Sequence, residues 1–144
     1  MNGETEIRAA IDKSGFAVMT FSGISMLPLL VENRDSVRLV KPEGRLKKYD
    51  IALFVRQNGE CVLHRVVRVR DSSYLIRGDN CLKSEKVEDS QIVAVAEGVF
   101  IGNEYHACSE EKIAKYAARQ KYTLPFRKLK YTTARVFRKV FPRR

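Results

Sequence analysis

The stretch Ile51-Ala52-Leu53-Phe54-Val55-Arg56-Gln57-Asn58-Gly59-Glu60-Cys61-Val62-Leu63-His64-Arg65-Val66-Val67-Arg68-Val69 decides the fold. Two runs rich in aliphatic and β-branched residues flank Asn58-Gly59. That dipeptide tolerates the positive φ angles of a tight turn, so the stretch predicts an antiparallel hairpin. Outward from it, Phe16–Phe21, Ser36–Val40, Tyr74–Arg77 and Ile92–Ile101 have the same short, strand-forming composition. Pro42-Glu43-Gly44, Asp71-Ser72-Ser73 and Gly78-Asp79-Asn80 punctuate them as turns. The spacing predicts a mainly β domain, either a bent antiparallel sheet or a partly open barrel. Ahead of it, Ile7, Ala10 and Ile11 predict a short amphipathic helix over Glu4 to Lys13, stopped at Gly15.

A chain of 144 residues, 44% hydrophobic and 31% charged, can bury a core without staples. No apolar run approaches the ~18 residues of a membrane-spanning helix. Glu4 and Glu6 stand where an export signal would be basic, so no cleaved signal is expected. The three cysteines, Cys61, Cys81 and Cys108, are widely spaced. Without a C-x-x-C pair they suggest reduced thiols in a cytoplasmic protein, with no metal and no cofactor. The net charge of +10 is uneven: residues 1–103 are nearly balanced, whereas residues 104–144 hold 12 Lys and Arg against three Glu. This asymmetry predicts a β domain over 1–103 and a basic helical tail over 104–144.

Three short segments carry chemistry. In Ser22-Gly23-Ile24-Ser25-Met26-Leu27-Pro28, a serine follows a glycine turn at a strand end. Such a turn can fix a hydroxyl and aim backbone N–H groups of Ser25 and its neighbours near Gly23 at one point, as an attacking serine and its oxyanion require. The plainer reading is a Ser-Gly turn. His64, in Val62-Leu63-His64-Arg65-Val66-Val67, shares a strand face with Val66. It is either a packed histidine or a general base for the serine proton. Arg77-Gly78-Asp79-Asn80, followed by Glu85, is either a turn or the source of a carboxylate behind the imidazole.

Taken together, G-x-S-M-x-P, then H-R-V-V, then a strand ending in G-D-N resemble the signal peptidase I family, within the fold it shares with SOS and phage repressor peptidases. The resemblance covers about Phe21 to Gly102. It implies Ser25 as nucleophile. It also implies His64 as base, as in the endoplasmic-reticulum and archaeal branch, where the bacterial branch has Lys. Asp79 matches the first assisting carboxylate; Glu85, or otherwise Asp89, matches the second. Gly23, Ser25 and Met26 would form the oxyanion and substrate-binding side. Where the family often has Gly-Asp at two strand starts, this chain has Arg34-Asp35 and Tyr49-Asp50. The family's membrane anchor is replaced by the short helix, which implies a stand-alone relative acting on a narrow peptide or precursor substrate. With His64 in the base position, and no Ala-Gly or Cys-Gly site before Ser25, self-cleavage is not expected.

The alternative reading is a non-catalytic peptide-binding or membrane-associated adaptor that keeps the fold. In the tail, Glu110 to Gln120 and Pro125 to Phe141 have helical spacing. In the second of these, Phe126, Leu129, Val136, Phe137, Val140 and Phe141 oppose Arg and Lys side chains. That face suits an anionic membrane surface, or docking on the body. Nucleic acid ranks third, because nothing in the body would read bases. His106 reads as an exposed loop residue.

Overall fold

The structure, a computed structural model, describes residues 3–109 and eight further positions between 111 and 125. Helix α1 (Gly3–Ser14) carries Glu4 and Glu6 in its first turn and Lys13 in its last, which suits the helix dipole. Ile11 is buried, Ile7 and Ala10 pack on the same core, and the helix ends where the Gly15 N–H donates to the Ile11 carbonyl at 2.7 Å.

The strands are β1 (Ala17–Thr20), β2 (Ser36–Val40), β3 (Ile51–Val55), β4 (Cys61–Val69), β5 (Ser73–Arg77), β6 (Glu85–Glu88), β7 (Ile92–Ile101) and β8 (Glu104–Ala107). They form one antiparallel sheet, in the order β1-β2-β7-β3-β4-β5-β6, with β8 also on β7. The hairpin read first is present: Val55 pairs with Cys61 and Ala52 with His64, across the loop 56–60. Asp71-Ser72 likewise turns β4 into β5, where Val69 faces Tyr74.

Strand β7 organises the sheet. Val95 pairs with Val40 of β2 on one edge and with Ala52 of β3 on the other. Beyond β3, the second edge is taken by β8, from Gly98 opposite Ala107 to Ile101 opposite Glu104. Gly98 leaves the space that the Tyr105 ring fills. Register shifts between Arg38 and Leu39, Leu53 and Phe54, and Val66 and Arg68 bend the sheet. The sheet does not close: β1 and β6 are its two ends.

Because β3 and β4 are central, both of their faces are covered, and β3 reads as an unbroken apolar run. Leu53 and Leu63 enter one core with Leu30, Met26, Val37 and Leu39. Ala52, Phe54, Val62 and Val66 enter a second core with Tyr74, Ile76 and Val87. Burying a side chain such as Phe54 or Leu53 contributes about 2–3 kcal/mol.

Two strands were not anticipated. β6 is Glu-Lys-Val-Glu, a charged end strand anchored by the buried Val87. β8 follows the two-residue Gly102-Asn103 turn and makes His106, opposite Val99, a strand residue instead of a loop residue. With β8 in the sheet, the first compact unit runs through Ser109, past the boundary at Asn103 that charge suggested; Glu110–Arg144 is the second unit. In that unit Glu111, Lys112, Lys115, Tyr116, Ala118, Arg119, Thr123 and Pro125 are described, all helical. The amphipathic helix expected from Pro125 to Phe141 otherwise lies outside the described residues. Among the described residues, no helix is long and apolar enough to cross a membrane.

Candidate active site

Ser25 lies in the turn that links β1 to β2. Gly23 enters this turn at φ +90, a left-handed conformation that a side chain resists. Leu27 N–H donates to Ile24 O at 3.2 Å and Leu30 N–H to Met26 O at 3.1 Å. Those two bonds leave the N–H groups of Ser25 and Met26 outside the turn's own hydrogen bonding. The Leu27–Pro28 peptide is cis. Met26 and Leu30, both buried, pin the turn to the first core. Ile24, by contrast, is 67% exposed at the rim.

The far end of the turn is held by Asp35. Its carboxylate accepts from the N–H groups of Val31 (2.8 Å) and Gly102 (3.0 Å) and from the Arg34 guanidinium (2.7 and 2.8 Å). The Arg34 hydrogen bonds, against the cost of burial, hold Asp35 down to a pKa of about 2.

The turn after β5 clamps Ser25 from the other side. Asn80 N–H donates to Ser25 O at 2.7 Å, and Asn80 Nδ2 donates to Ile24 O at 3.1 Å. Gly78 permits this approach. A Cβ there would sit 2.6 Å from Ser25 O, 2.8 Å from Cys81 Sγ and 2.9 Å from His64 Nε2. The Ser25 backbone, the Cys81 thiol and the imidazole thus converge on one point that only glycine leaves open.

His64 projects from β4 and is 6% exposed, with the Phe54 ring 6.2 Å away. Its Nδ1 lies 3.3 Å from Glu85 Oε1, within ion-pair distance, yet is buried without a hydrogen-bond partner. The two observations agree once direction is considered: the carboxylate is near the ring but not aimed along its N–H. Arg56 explains why. Its guanidinium forks onto both Glu85 oxygens at 2.9 and 2.8 Å and also reaches Glu60 at 2.8 Å. The Arg56 hydrogen bonds hold the Glu85 carboxyl below its ordinary range. Burial pushes the His64 pKa down; nearby Glu85 opposes this and Arg56 adds to it. The imidazole is therefore neutral at neutral pH, the form a general base requires.

Ser25 and His64 border one cavity of about 610 Å³, with Phe21, Met26, Glu60 and Cys81 among its other walls. No hydrogen bond joins the Ser25 and His64 side chains.

Two acids are placed elsewhere than expected. Asp79 is bonded to Arg65, and its charge reaches the imidazole from that position. It is buried and takes a two-pronged bond from Arg65, at 2.9 Å for each prong. Arg65 points to the face opposite His64 because neighbours on a strand alternate, and it also donates to Tyr49 O at 2.9 Å. Asp89 is exposed on the short 3-10 turn before β7, paired with Arg45 at 3.1 Å. Glu85 is the carboxylate beside His64. The sequence reading missed Arg56, Glu60 and Cys81. Arg56 and Glu60 frame the Asn58-Gly59 turn, but no spacing rule links that turn to β6. Cys81 follows Gly78-Asp79-Asn80, and its only sequence signal is its place next to that strand-end turn.

Cys61, Cys81 and Cys108 are not disulfide-bonded. Among the described residues, no group of three or more His, Cys, Asp or Glu is placed to hold a metal ion. No protein-family model, no curated protein and no solved structure matches the chain.

Proposed function

We propose that the protein is a serine endopeptidase resembling signal peptidase I, cleaving an extended peptide or precursor protein. The observation that carries this reading is the meeting of the Ser25 turn and the neutral, buried His64 at one cavity, with Glu85 behind the ring. Ser25 Oγ attacks the scissile carbonyl while His64 Nε2 takes its proton. Glu85 stabilises the imidazolium that forms, and the proton passes on to the leaving amine. The Ser25 N–H, with a donor near Gly23, stabilises the oxyanion; each such donor is worth about 3–4 kcal/mol. Substrate binding would bring Oγ and Nε2 into bonding contact, since catalytic hydrogen bonds are commonly loose without substrate.

The unpartnered His64 Nδ1 and the capture of Asp79 by Arg65 favour a second reading, a peptide-binding adaptor without catalysis. One experiment separates the two: incubate a peptide library with wild type, Ser25→Ala and His64→Gln, and map cleavage by mass spectrometry. Cleavage by wild type alone is expected. Peptide retention without cleavage by any of the three would establish the adaptor, and equal cleavage by Ser25→Ala would remove the serine mechanism.

A further inference from the structure

Cys81 lies directly behind the β5–β6 turn, where its N–H donates to Gly78 O at 2.9 Å and folds the thiol back over Gly78. Sγ and His64 Nε2 stand 2.8 and 2.9 Å from the same point above that glycine. Both residues border the cavity, so a small molecule entering it meets the thiol and the ring together. The imidazole is 6% exposed, its buried Nδ1 has no hydrogen-bond partner, and Nε2 is the nitrogen on the Cys81 side. Glu85, Arg56 and Asp79 are the charged groups whose fields reach the ring. The other thiols differ. Cys61 shares the cavity, but burial and the Glu4 carboxylate push its pKa up. Cys108 is not among the cavity walls.

We infer that Cys81 is a modification site, a thiol served by His64 that takes small disulfides and similar soft electrophiles entering the cavity. His64 Nε2 accepts the Sγ proton, directly or through one water. The thiolate attacks one sulfur of the incoming disulfide; the new S–S bond forms as the old one breaks, and the departing thiolate collects the proton. The disulfide is itself the oxidant, so no other reagent is needed. The product places a bulky group against the Ser25 carbonyl and His64. Its effect on catalysis rests on the peptidase reading; the reactivity does not.

The test is to treat the full chain with glutathione disulfide at neutral pH and follow each cysteine by peptide mapping. Cys81 is expected to react about tenfold or more faster than Cys108, as a base-assisted thiol does. That advantage should vanish in urea, where ring and thiol are separated, and should fall by a similar factor in His64→Gln. Ser25→Ala should keep it, so a missing peptidase activity would not be confused with a missing thiol site. The inference is overturned if Cys81 reacts no faster than Cys108 in the native chain, or if its advantage survives urea. Should His64→Gln fail to fold, the comparison of native and urea-treated wild type still decides.

Discussion

His64 sits between opposed influences: burial and Arg56 favour its neutral form, and Glu85 favours the charged one. Arg56 has a hand in both, because its fork also engages both oxygens of the Glu85 carboxylate beside the ring. Replacing Arg56 by Gln should let Glu85 pair with the imidazolium and raise the His64 pKa. With only two histidines in the chain, an NMR titration can assign the change, and an unmoved His64 would refute the role given to Arg56. The sign for stability follows. A His whose folded pKa lies below 6.5 leaves the unfolded chain binding more protons in acid, so stability is lost as pH drops through 6.5 toward the folded value. Gly78 offers a steric check at the same site. Gly78→Ala would press a methyl group against the Ser25 carbonyl, the Cys81 thiol and the ring. Thermal unfolding should show a loss of about 1–3 kcal/mol, as overpacked sites do. Cleavage should fall further than that loss explains, because the Ser25 turn must move. Unchanged stability and cleavage would mean that the three groups do not depend on that close approach.

At the level of elements, the β5–β6 turn joins the serine turn to the sheet. Asn80 holds the Ser25 and Ile24 carbonyls, while Asp79 reaches inward to Arg65 on β4. The Asp79–Arg65 pair is buried on both sides, so removing one partner strands a charge. Asp79→Asn should therefore cost about 3–5 kcal/mol in urea unfolding. Glu85 is half-buried at the sheet's end, and Glu85→Gln should cost much less stability while lowering the rate of cleavage. The reverse ranking would restore Asp79 as the acid behind the imidazole. These elements also show what sequence can and cannot reach. Asn58-Gly59 located its hairpin because turn chemistry is local. The sequence offered both Asp79 and Glu85 as the acid behind the imidazole and could not choose between them, because the pairing of Asp79 follows from Arg65 lying on the other face of β4 from His64. β6 escaped notice because its Glu-Lys-Val-Glu composition lacks the apolar alternation that marks a strand.

Across the whole molecule, the open sheet buries apolar side chains on two faces and leaves a cavity where the β1–β2 turn meets β4. Asp35 ties that turn to β2 and to the β7–β8 connection. With its pKa at about 2 against an ordinary 3.8, it stabilises the fold above 3.8, and that contribution is lost as pH falls toward 2. Its loss should be on the order of 1 kcal/mol, given the partly exposed Arg34, and Asp35→Asn should flatten this part of the acid unfolding curve. For the tail, the charge of residues 104–144 leads us to expect full-length protein to bind anionic vesicles at low salt and release them at high salt. Salt-independent binding, or none, would discard the membrane reading. The sequence by itself determined β1 to β5 and β7, the helix over Glu4 to Lys13 and the charge asymmetry, because strand period, turn chemistry and net charge are properties of neighbours along the chain. Only the tertiary structure decided that Glu85 stands beside His64 while Asp79 pairs with Arg65, that Arg56 restrains Glu85, and that Cys81 shares the space above Gly78. Those contacts join residues far apart in the chain, and their identity depends on sheet register and on which face of β4 each side chain occupies.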